Sequence, residues 1–182
     1  MNLNIKFQTQ QNNKYWGDCG MAMIAMLADI TIEEAYAASG LQPGIWANFN
    51  QLEHGLKNLK IDSNYARLNT HQIKNYLTVG WPVIALIDYG RLPNYLKNSA
   101  FDGAHFVLCV GFNALEIAIH DPLGNDETGA FLHYNDSIFS EVHYRTPANY
   151  NSNQCLVVQK SYAMPVAKIT KKQRTDGRFN AL

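Results

Sequence analysis

The feature that most constrains the fold is an unbroken apolar stretch from Gly20 to Leu27, directly after Asp18 and Cys19. Asp is favoured at the position that precedes a helix, so the pattern predicts a helix that begins here with Asp18 as its cap. A helix that is apolar on every side belongs at the centre of a domain, and this one is far too short to cross a bilayer. Cys19 is therefore expected in the first turn of a buried central helix.

Further helices are predicted before residue 80 and strands after it. Residues 31–34 have the pattern of a capping box, and apolar residues recur at helical spacing in 49–59 and in 71–77, the latter with Thr70 as its cap. Short β-rich runs then follow, separated by Gly, Pro, Asn and Asp: WPVIALI, HFVLCVGF, LEIAIH, FLHY and CLVVQK. This order predicts an α+β fold, in which a helical N-terminal half packs on an antiparallel sheet.

Composition favours one globular domain that binds neither nucleic acid nor membranes. The chain has 182 residues, 47% hydrophobic and 16% charged, with a formal net charge of zero. Basic residues are concentrated at the C-terminus, so residues 1–160 are expected to form the domain and 161–182 a basic strand or tail. The N-terminus lacks the apolar core of a secretory signal, which predicts a cytoplasmic or virion-borne protein.

Only one of the three cysteines has the surroundings of a nucleophile. An odd count without a CxxC pair indicates neither a disulfide framework nor a zinc site. Cys109 and Cys155 lie in apolar runs and are expected to be buried core thiols. Cys19 lies at a helix start, where unpaired N–H groups favour the thiolate, and Gly20 is expected to leave room for a substrate.

A histidine and an aspartate are the expected partners of Cys19. His105 opens an apolar strand after a small-residue turn, where an imidazole can act as general base towards a thiol. Asp121 follows the next strand, and Pro122 ends that strand. If the two strands form a hairpin, Asp121 returns to His105 and orients its ring. His120 points to the opposite face and is left out of the site.

An acyl-transfer site also needs donors for the developing oxyanion. The backbone N–H of Cys19 is one such donor. A side-chain amide upstream is the usual second donor, and Gln8, Gln10 and Gln11 are all available. Residue chemistry alone does not select among them.

Five motifs in order resemble a known family: QQNNKY (10–15), DCGMAMIAM (18–26), GWPVI (80–84), GAHFVLCVGF (103–112) and IHDP (119–122). They resemble the papain-like cysteine peptidases that process bacteriocin leaders, over about residues 8–160. The resemblance implies a papain-like fold, with Cys19 as nucleophile, His105 as base, Asp121 as orienting carboxylate and Gln10 as oxyanion donor. In the exporter-linked members the glutamine lies six residues before the cysteine, where this chain has Asn13. The choice among Gln10, Gln11 and Asn13 therefore stays open, and a stand-alone relative is favoured.

The expected function is cleavage of an amide bond in a peptide or protein substrate, through an acyl-enzyme on Cys19, without metal or organic cofactor. The expected source is a bacterium or a phage. Two alternatives remain. The same scaffold can act as a peptidoglycan endopeptidase, an amidase or an acyltransferase. It can also be a non-catalytic module that binds a partner through the basic tail. The loop 88–103 and the aromatic residues Tyr15, Trp16, Trp46 and Phe49 are candidates for the substrate cleft.

Overall fold

The structure is a computed structural model, and it describes residues 1–11, 17–144 and 151–163. Its helices are α1 (Cys19–Ala28), α2 (Ile32–Ser39), α3 (Phe49–Asn58), α4 (Thr70–Thr78) and α5 (Asp136–Tyr144). Its strands are β1 (Ser63–Arg67), β2 (Val83–Asp88), β3 (Ala104–Phe112), β4 (Glu116–His120), β5 (Leu132–Asn135) and β6 (Gln154–Val158). The strands form one antiparallel sheet in the order β1-β6-β2-β3-β4-β5, which confirms the predicted α+β fold.

Helix α1 lies in the core as predicted, with every residue from Gly20 to Leu27 buried. It packs against β3, α2 and α3. Gly20 does not serve substrate access as expected. It is buried, and a Cβ atom there would lie 2.8 Å from the Cβ of Ala47 and 3.0 Å from a methyl carbon of Leu52. The glycine therefore allows its neighbours to pack closely against the start of α1.

Asp18 precedes α1 but does not cap it as predicted. Its backbone is already in the helical region, and its side chain makes no capping hydrogen bond. Instead, the fully buried carboxylate accepts a hydrogen bond from the hydroxyl of Tyr36 in α2. Asp18 therefore links α1 to α2 across the core, because a buried carboxylate is costly without such partners.

The capping patterns set the starts of the other helices. Thr31 and Glu34 form the predicted capping box at α2. Asn48 and Gln51 form another capping box at α3. At α4 the cap lies one residue before the predicted Thr70, because Asn69 and Gln72 form a third. Each box satisfies backbone N–H groups that the first helical turn leaves unpaired.

The five predicted β-rich runs correspond to β2 to β6, while β1 and α5 were not predicted. Strand β1 is largely exposed and carries no apolar alternation. Helix α5 follows β5 directly, and its apolar side chains pack on β2, β4 and β5. The chain is therefore not divided into a purely helical half and a purely β half.

Strands β3 and β4 form an antiparallel hairpin, which is the condition under which the sequence placed Asp121 near His105. Near the turn, Phe112 pairs with Ile117 and Gly111 with Ala118. Further along, Cys109 pairs with Ile119, so Val110 is an extra residue in β3 that has no counterpart in β4. This irregularity is a β-bulge. The carbonyl oxygen of Val110 accepts a hydrogen bond of 2.6 Å from the backbone N–H of Leu3.

Both described ends of the chain are attached to the body. The N–H of Tyr162 donates to the carbonyl of Gly80, and the N–H of Asn4 donates to the carbonyl of Ala163. The rest of the predicted basic tail, 164–182, lies outside the described residues. None of the helices that the structure describes has the length and apolar character needed to span a bilayer.

Candidate active site

A small cavity lies at the N-terminal end of α1, where that helix meets the start of β3. Its walls include residues from the N-terminal segment, from the loops before α1 and α3, and from the segment that follows Asp121. The principal lining residues are Gln10, Cys19, Trp46, Phe101, His105 and Leu123. The cavity thus brings the predicted nucleophile and the predicted base to the same surface.

Cys19 and His105 both line this cavity, and interaction with the thiol favours the protonated form of the imidazole. Cys19 is the first residue of α1, and His105 is the second residue of β3. The Nε2 atom of His105 lies 2.8 Å from Oδ1 of Asp121, so Nδ1 is the ring nitrogen left for the thiol. Asp121 therefore holds one nitrogen of the imidazole and leaves the other available to Cys19.

Asp121 is fully buried and surrounded by donors. Besides His105, Oδ1 accepts a hydrogen bond of 3.0 Å from the backbone N–H of Leu123. The other oxygen, Oδ2, accepts a hydrogen bond of 2.9 Å from the side-chain amide of Asn98 and one of 3.3 Å from the hydroxyl of Tyr89. Four donors stabilise this carboxylate, which is what a buried anion requires.

The charges at the site favour a protonated His105 and an ionised Asp121. Burial alone lowers the pKa of His105. Hydrogen bonds and charge interactions with Asp121 and Cys19 outweigh burial and raise that pKa to about 9. For Asp121, burial alone raises the pKa of the carboxyl group. The hydrogen bond to His105 and its charge, with donors from Asn98 and Leu123, bring the pKa below its ordinary value.

Aromatic rings cover His105 and keep it from solvent, with a relative exposure of 2%. The ring of Tyr89 meets the imidazole edge to face at 5.0 Å between centroids, and the ring of Phe101 lies at 6.2 Å. Both come from the loop 88–103 that the sequence indicated as functional. A dry environment strengthens the charge interactions of the imidazole with its partners.

The glutamines that the sequence left as alternative oxyanion donors differ in their surroundings. Gln10 lines the cavity, and its Oε1 atom is buried without a hydrogen-bond partner among the described residues. Gln11 instead donates its side-chain amide to the carbonyl of Leu123, and Gln8 donates to the carbonyl of Ile30. Asn13 lies outside the described residues.

Segment 9–11 reaches the cavity because it runs beside the residues that follow Asp121. The backbone N–H of Gln10 donates to the carbonyl of Pro122 at 2.9 Å. The hydroxyl of Thr9 donates to the carbonyl of Gly124 at 2.5 Å. Gln10 is thereby held by the same short segment that holds the carboxylate of Asp121.

The remaining candidates lie outside the site. His120 is buried beside the carbonyl of Ile5 at 3.0 Å, and burial lowers the pKa of its imidazole to about 4. Cys109 and Cys155 are fully buried, and burial raises the pKa of both thiols. Among the described residues there is no group of three or more His, Cys, Asp or Glu side chains arranged to hold a metal ion.

Of the four aromatic residues proposed for a cleft, Trp46 lines the cavity and is 53% exposed. Phe49 is buried against Phe106 in the core, at 5.1 Å between ring centroids. Tyr15 and Trp16 lie outside the described residues. Asn98, Tyr89 and Phe101 were not among the predicted site residues, because their only signal in the sequence is a place in the long loop before His105.

Known proteins resemble this chain in family and in fold. A family model described as "Peptidase_C39 like family" matches residues 2–154. Among curated protein sequences, none matches this chain.

Solved structures with the same fold include three peptidases. The peptidase domain of Streptococcus ComA, a bifunctional ABC transporter involved in quorum sensing, has a TM-score of 0.59 at 14% identity, over 85% of this chain and 97% of that one. A Bacillus anthracis protein described as a C39-like peptidase has a TM-score of 0.57 at 14% identity, over 90% of this chain and 100% of that one. A double-glycine-motif protease from an AMS/PCAT transporter, in complex with the leader peptide, has a TM-score of 0.56 at 17% identity, over 86% of this chain and 92% of that one.

Proposed function

Because this chain belongs to the peptidase C39-like family, we propose that it is a cysteine peptidase with Cys19 as nucleophile, His105 as general base and acid, and Asp121 as orienting carboxylate. The observation that carries the proposal is that Cys19 and His105 line the same cavity while Asp121 holds the far nitrogen of the imidazole at 2.8 Å. A nucleophile within hydrogen-bonding reach of a base that a third group orients is the general signature of covalent catalysis.

The reaction begins when Cys19 gives its proton to His105, which leaves a thiolate next to an imidazolium. The thiolate attacks the carbonyl carbon of the substrate amide, and a tetrahedral oxyanion forms. His105 donates its proton to the leaving nitrogen as the C–N bond breaks, which releases the amine and leaves a thioester on Cys19. Water then attacks the thioester while His105 accepts its proton, and the acid product leaves as the thiolate is restored.

We assign the stabilisation of the oxyanion to the backbone N–H of Cys19 and the side-chain amide of Gln10. The first lies at the N-terminal end of α1, where the helix dipole favours negative charge. The second lines the same cavity as the thiol, and its oxygen has no partner in the part of the chain that the structure describes. An amide that is not committed elsewhere is able to turn its N–H₂ group towards a developing negative charge.

The substrate that we propose is a peptide. One structural neighbour is a protease bound to a leader peptide, and the fold is shared over most of both chains. The exposed ring of Trp46 at the cavity also suits an extended chain whose side chains lie along the surface.

The proposal is tested by mapping the reactive thiol and then assaying peptide cleavage. Iodoacetamide is expected to label Cys19 in the folded protein and to leave Cys109 and Cys155 unlabelled, because both are fully buried. Cleavage of a peptide library, read by mass spectrometry, is expected from the natural chain and not from Cys19→Ala. Purified peptidoglycan and an acyl-acceptor amine in parallel assays distinguish the hydrolase and transferase alternatives. Equal cleavage by the two proteins would refute the role of Cys19.

A further inference from the structure

The rear oxygen of the Asp121 carboxylate, Oδ2, is bound by two residues that the mechanism above does not use. The side-chain amide of Asn98 donates to it at 2.9 Å and the hydroxyl of Tyr89 at 3.3 Å. The same two residues also bind each other, because the backbone N–H of Asn98 donates to the Tyr89 oxygen at 2.6 Å. Asn98, Tyr89 and Asp121 thus form a closed triangle of hydrogen bonds behind the imidazole of His105.

We propose that Asn98 and Tyr89 are positioning residues that hold the Asp121 carboxylate at the angle at which Oδ1 meets His105. This inference rests on the proposed function, since it assigns to the loop 88–103 a role in the same site. Neither residue is among those that line the cavity, so neither contacts substrate there, and the Asn98 amide and the Tyr89 hydroxyl act through Asp121.

The loop can do this because it is tied at several points in its length. The backbone N–H of Tyr89 donates to the carbonyl of Gly103 at 2.8 Å, which closes the loop at its base. The ammonium group of Lys97, the residue before Asn98, donates to the carbonyl of Gly90 at 2.7 Å. A side chain carried by a braced backbone loses less entropy when it binds, so its hydrogen bond holds the partner more firmly.

Two donors on one oxygen also decide which way the carboxylate can turn. A carboxylate bound only at Oδ1 is able to rotate about its Cβ–Cγ bond, and rotation breaks the 2.8 Å contact to Nε2 of His105. Donors on Oδ2 oppose that rotation and leave Oδ1 for the imidazole. The oriented imidazole is then able to accept the thiol proton, since the base must be aligned before it can act.

The titratable groups that face Asp121 are few. They are His105 on β3, Tyr89 on the loop and Tyr134 on β5, and Cys19 acts on the carboxylate through His105. Burial raises the pKa of both tyrosines, so they remain neutral donors over the range in which the site works. His105 is therefore the group whose ionisation reports the position of Asp121.

A double-mutant cycle on the full chain tests the proposal. It compares the natural protein with Asn98→Ala, Asp121→Ala and the double variant. The first readout is the rate at which iodoacetamide alkylates Cys19 at mildly acidic pH. The second is the His105 pKa from NMR titration. The matched control is Asn94→Ala, the same change at an exposed position of the same loop.

In the natural background, Asn98→Ala is expected to slow alkylation of Cys19 on the order of tenfold. Losses of this size are typical when a residue that orients a functional side chain through a hydrogen bond is removed. It is expected to lower the His105 pKa at the same time. In the Asp121→Ala background the same change is expected to have no further effect, because the group it acts through is gone. Asn94→Ala is expected to match the natural protein in both readouts. If Asn98→Ala does not fold, Tyr89→Phe takes its place in the double-mutant cycle with Asp121→Ala, because this change removes only the hydroxyl that binds Oδ2.

An equal loss from Asn98→Ala in both backgrounds, or no loss in the natural one, would overturn the proposal. These readouts need no substrate, so they separate this inference from the peptidase assignment. A coupled cycle in a protein that cleaves no peptide keeps the positioning role and rejects the peptidase. An additive cycle in a protein that does cleave peptides keeps the peptidase assignment and rejects the positioning role. If both hold, Asn98→Ala is expected to lower kcat for peptide cleavage while KM stays near its natural value.

Discussion

The Nε2 atom of His105 and the Oδ1 atom of Asp121 lie 2.8 Å apart, and their side chains are 2% and 0% exposed. A buried pair of this kind holds a proton on the imidazole far more firmly than a pair in water does. Its consequences for activity and stability are measurable.

The alkaline limit of activity is expected near the His105 pKa of about 9. Above that value His105 loses the proton that the leaving amine needs, so kcat/KM for peptide cleavage is expected to fall as pH rises. Alkylation of Cys19 needs only the thiolate and is expected not to fall over the same range. The check is to measure both pH profiles on one preparation, and a parallel decline of both would contradict the role of His105 as acid.

Asp121→Asn is expected to lower kcat by on the order of 10²-fold or more, as when an orienting carboxylate of a triad becomes an amide. The change removes the negative charge that raises the pKa of His105, so this pKa is expected to fall below about 9. NMR titration of the imidazole checks the pKa, and a stopped assay checks kcat. An unchanged His105 pKa would show that Asp121 does not set the charge of the ring.

Gln10 and Gln11 offer a matched pair of neighbouring identical residues. Gln10→Ala is expected to lower kcat by roughly 10²-fold, the usual cost of one lost oxyanion donor. Gln11→Ala is expected to keep near-natural kcat, because that amide donates to the Leu123 carbonyl and does not line the cavity. Steady-state kinetics on both variants decide the matter. The reverse ranking would move the oxyanion role to Gln11.

Thr31→Ala is expected to destabilise the chain by about 1 kcal/mol, because it removes the capping box of α2 far from the cavity. For a chain of this length that corresponds to a fall in Tm of roughly 2–4 °C. Thr31→Ser keeps the hydroxyl and serves as the control. Calorimetry gives the comparison, and peptide cleavage at low temperature is expected to be the same for all three proteins.

Acid is expected to destabilise the fold through His120. Burial lowers the pKa of this imidazole to about 4, below its ordinary 6.5, so the unfolded chain binds a proton that the folded chain does not. The free energy of unfolding is therefore expected to decrease as pH falls from about 6.5 to about 4. Denaturant titrations across that range measure the slope, and His120→Asn is expected to reduce it whatever its effect on overall stability.

The parts of the fold that the sequence predicted are those with strong local signals. The stretch from Gly20 to Leu27 could only be a buried helix, and a capping box sets the start of α2. Strand β1 could not be predicted, because an exposed edge strand carries no alternation of apolar residues. The role of Asp18 could not be predicted either, since its partner Tyr36 belongs to another helix.

The same distinction applies to the site. Cys19, His105 and Asp121 stand in short motifs whose order along the chain resembles a family, and the structure brings them together. Asn98 and Tyr89 have no motif, because their contact with Asp121 depends on the path of the loop. Short motifs therefore predict the residues proposed to react more readily than they predict the residues that orient them.

The bulge at Val110 has a consequence for how this hairpin can vary. Continued from the pairing of Phe112 with Ile117, a regular ladder would set Asp121 opposite Leu108, on the face away from His105. The single unmatched residue inverts that parity, so the observed pairing of Leu108 with His120, continued by one residue, sets Asp121 opposite Val107 and diagonal to His105. Lengthening or shortening the turn leaves this relation intact, whereas removal of one residue at the bulge is expected to exchange the two faces of β4 and to carry the carboxylate out of reach of His105.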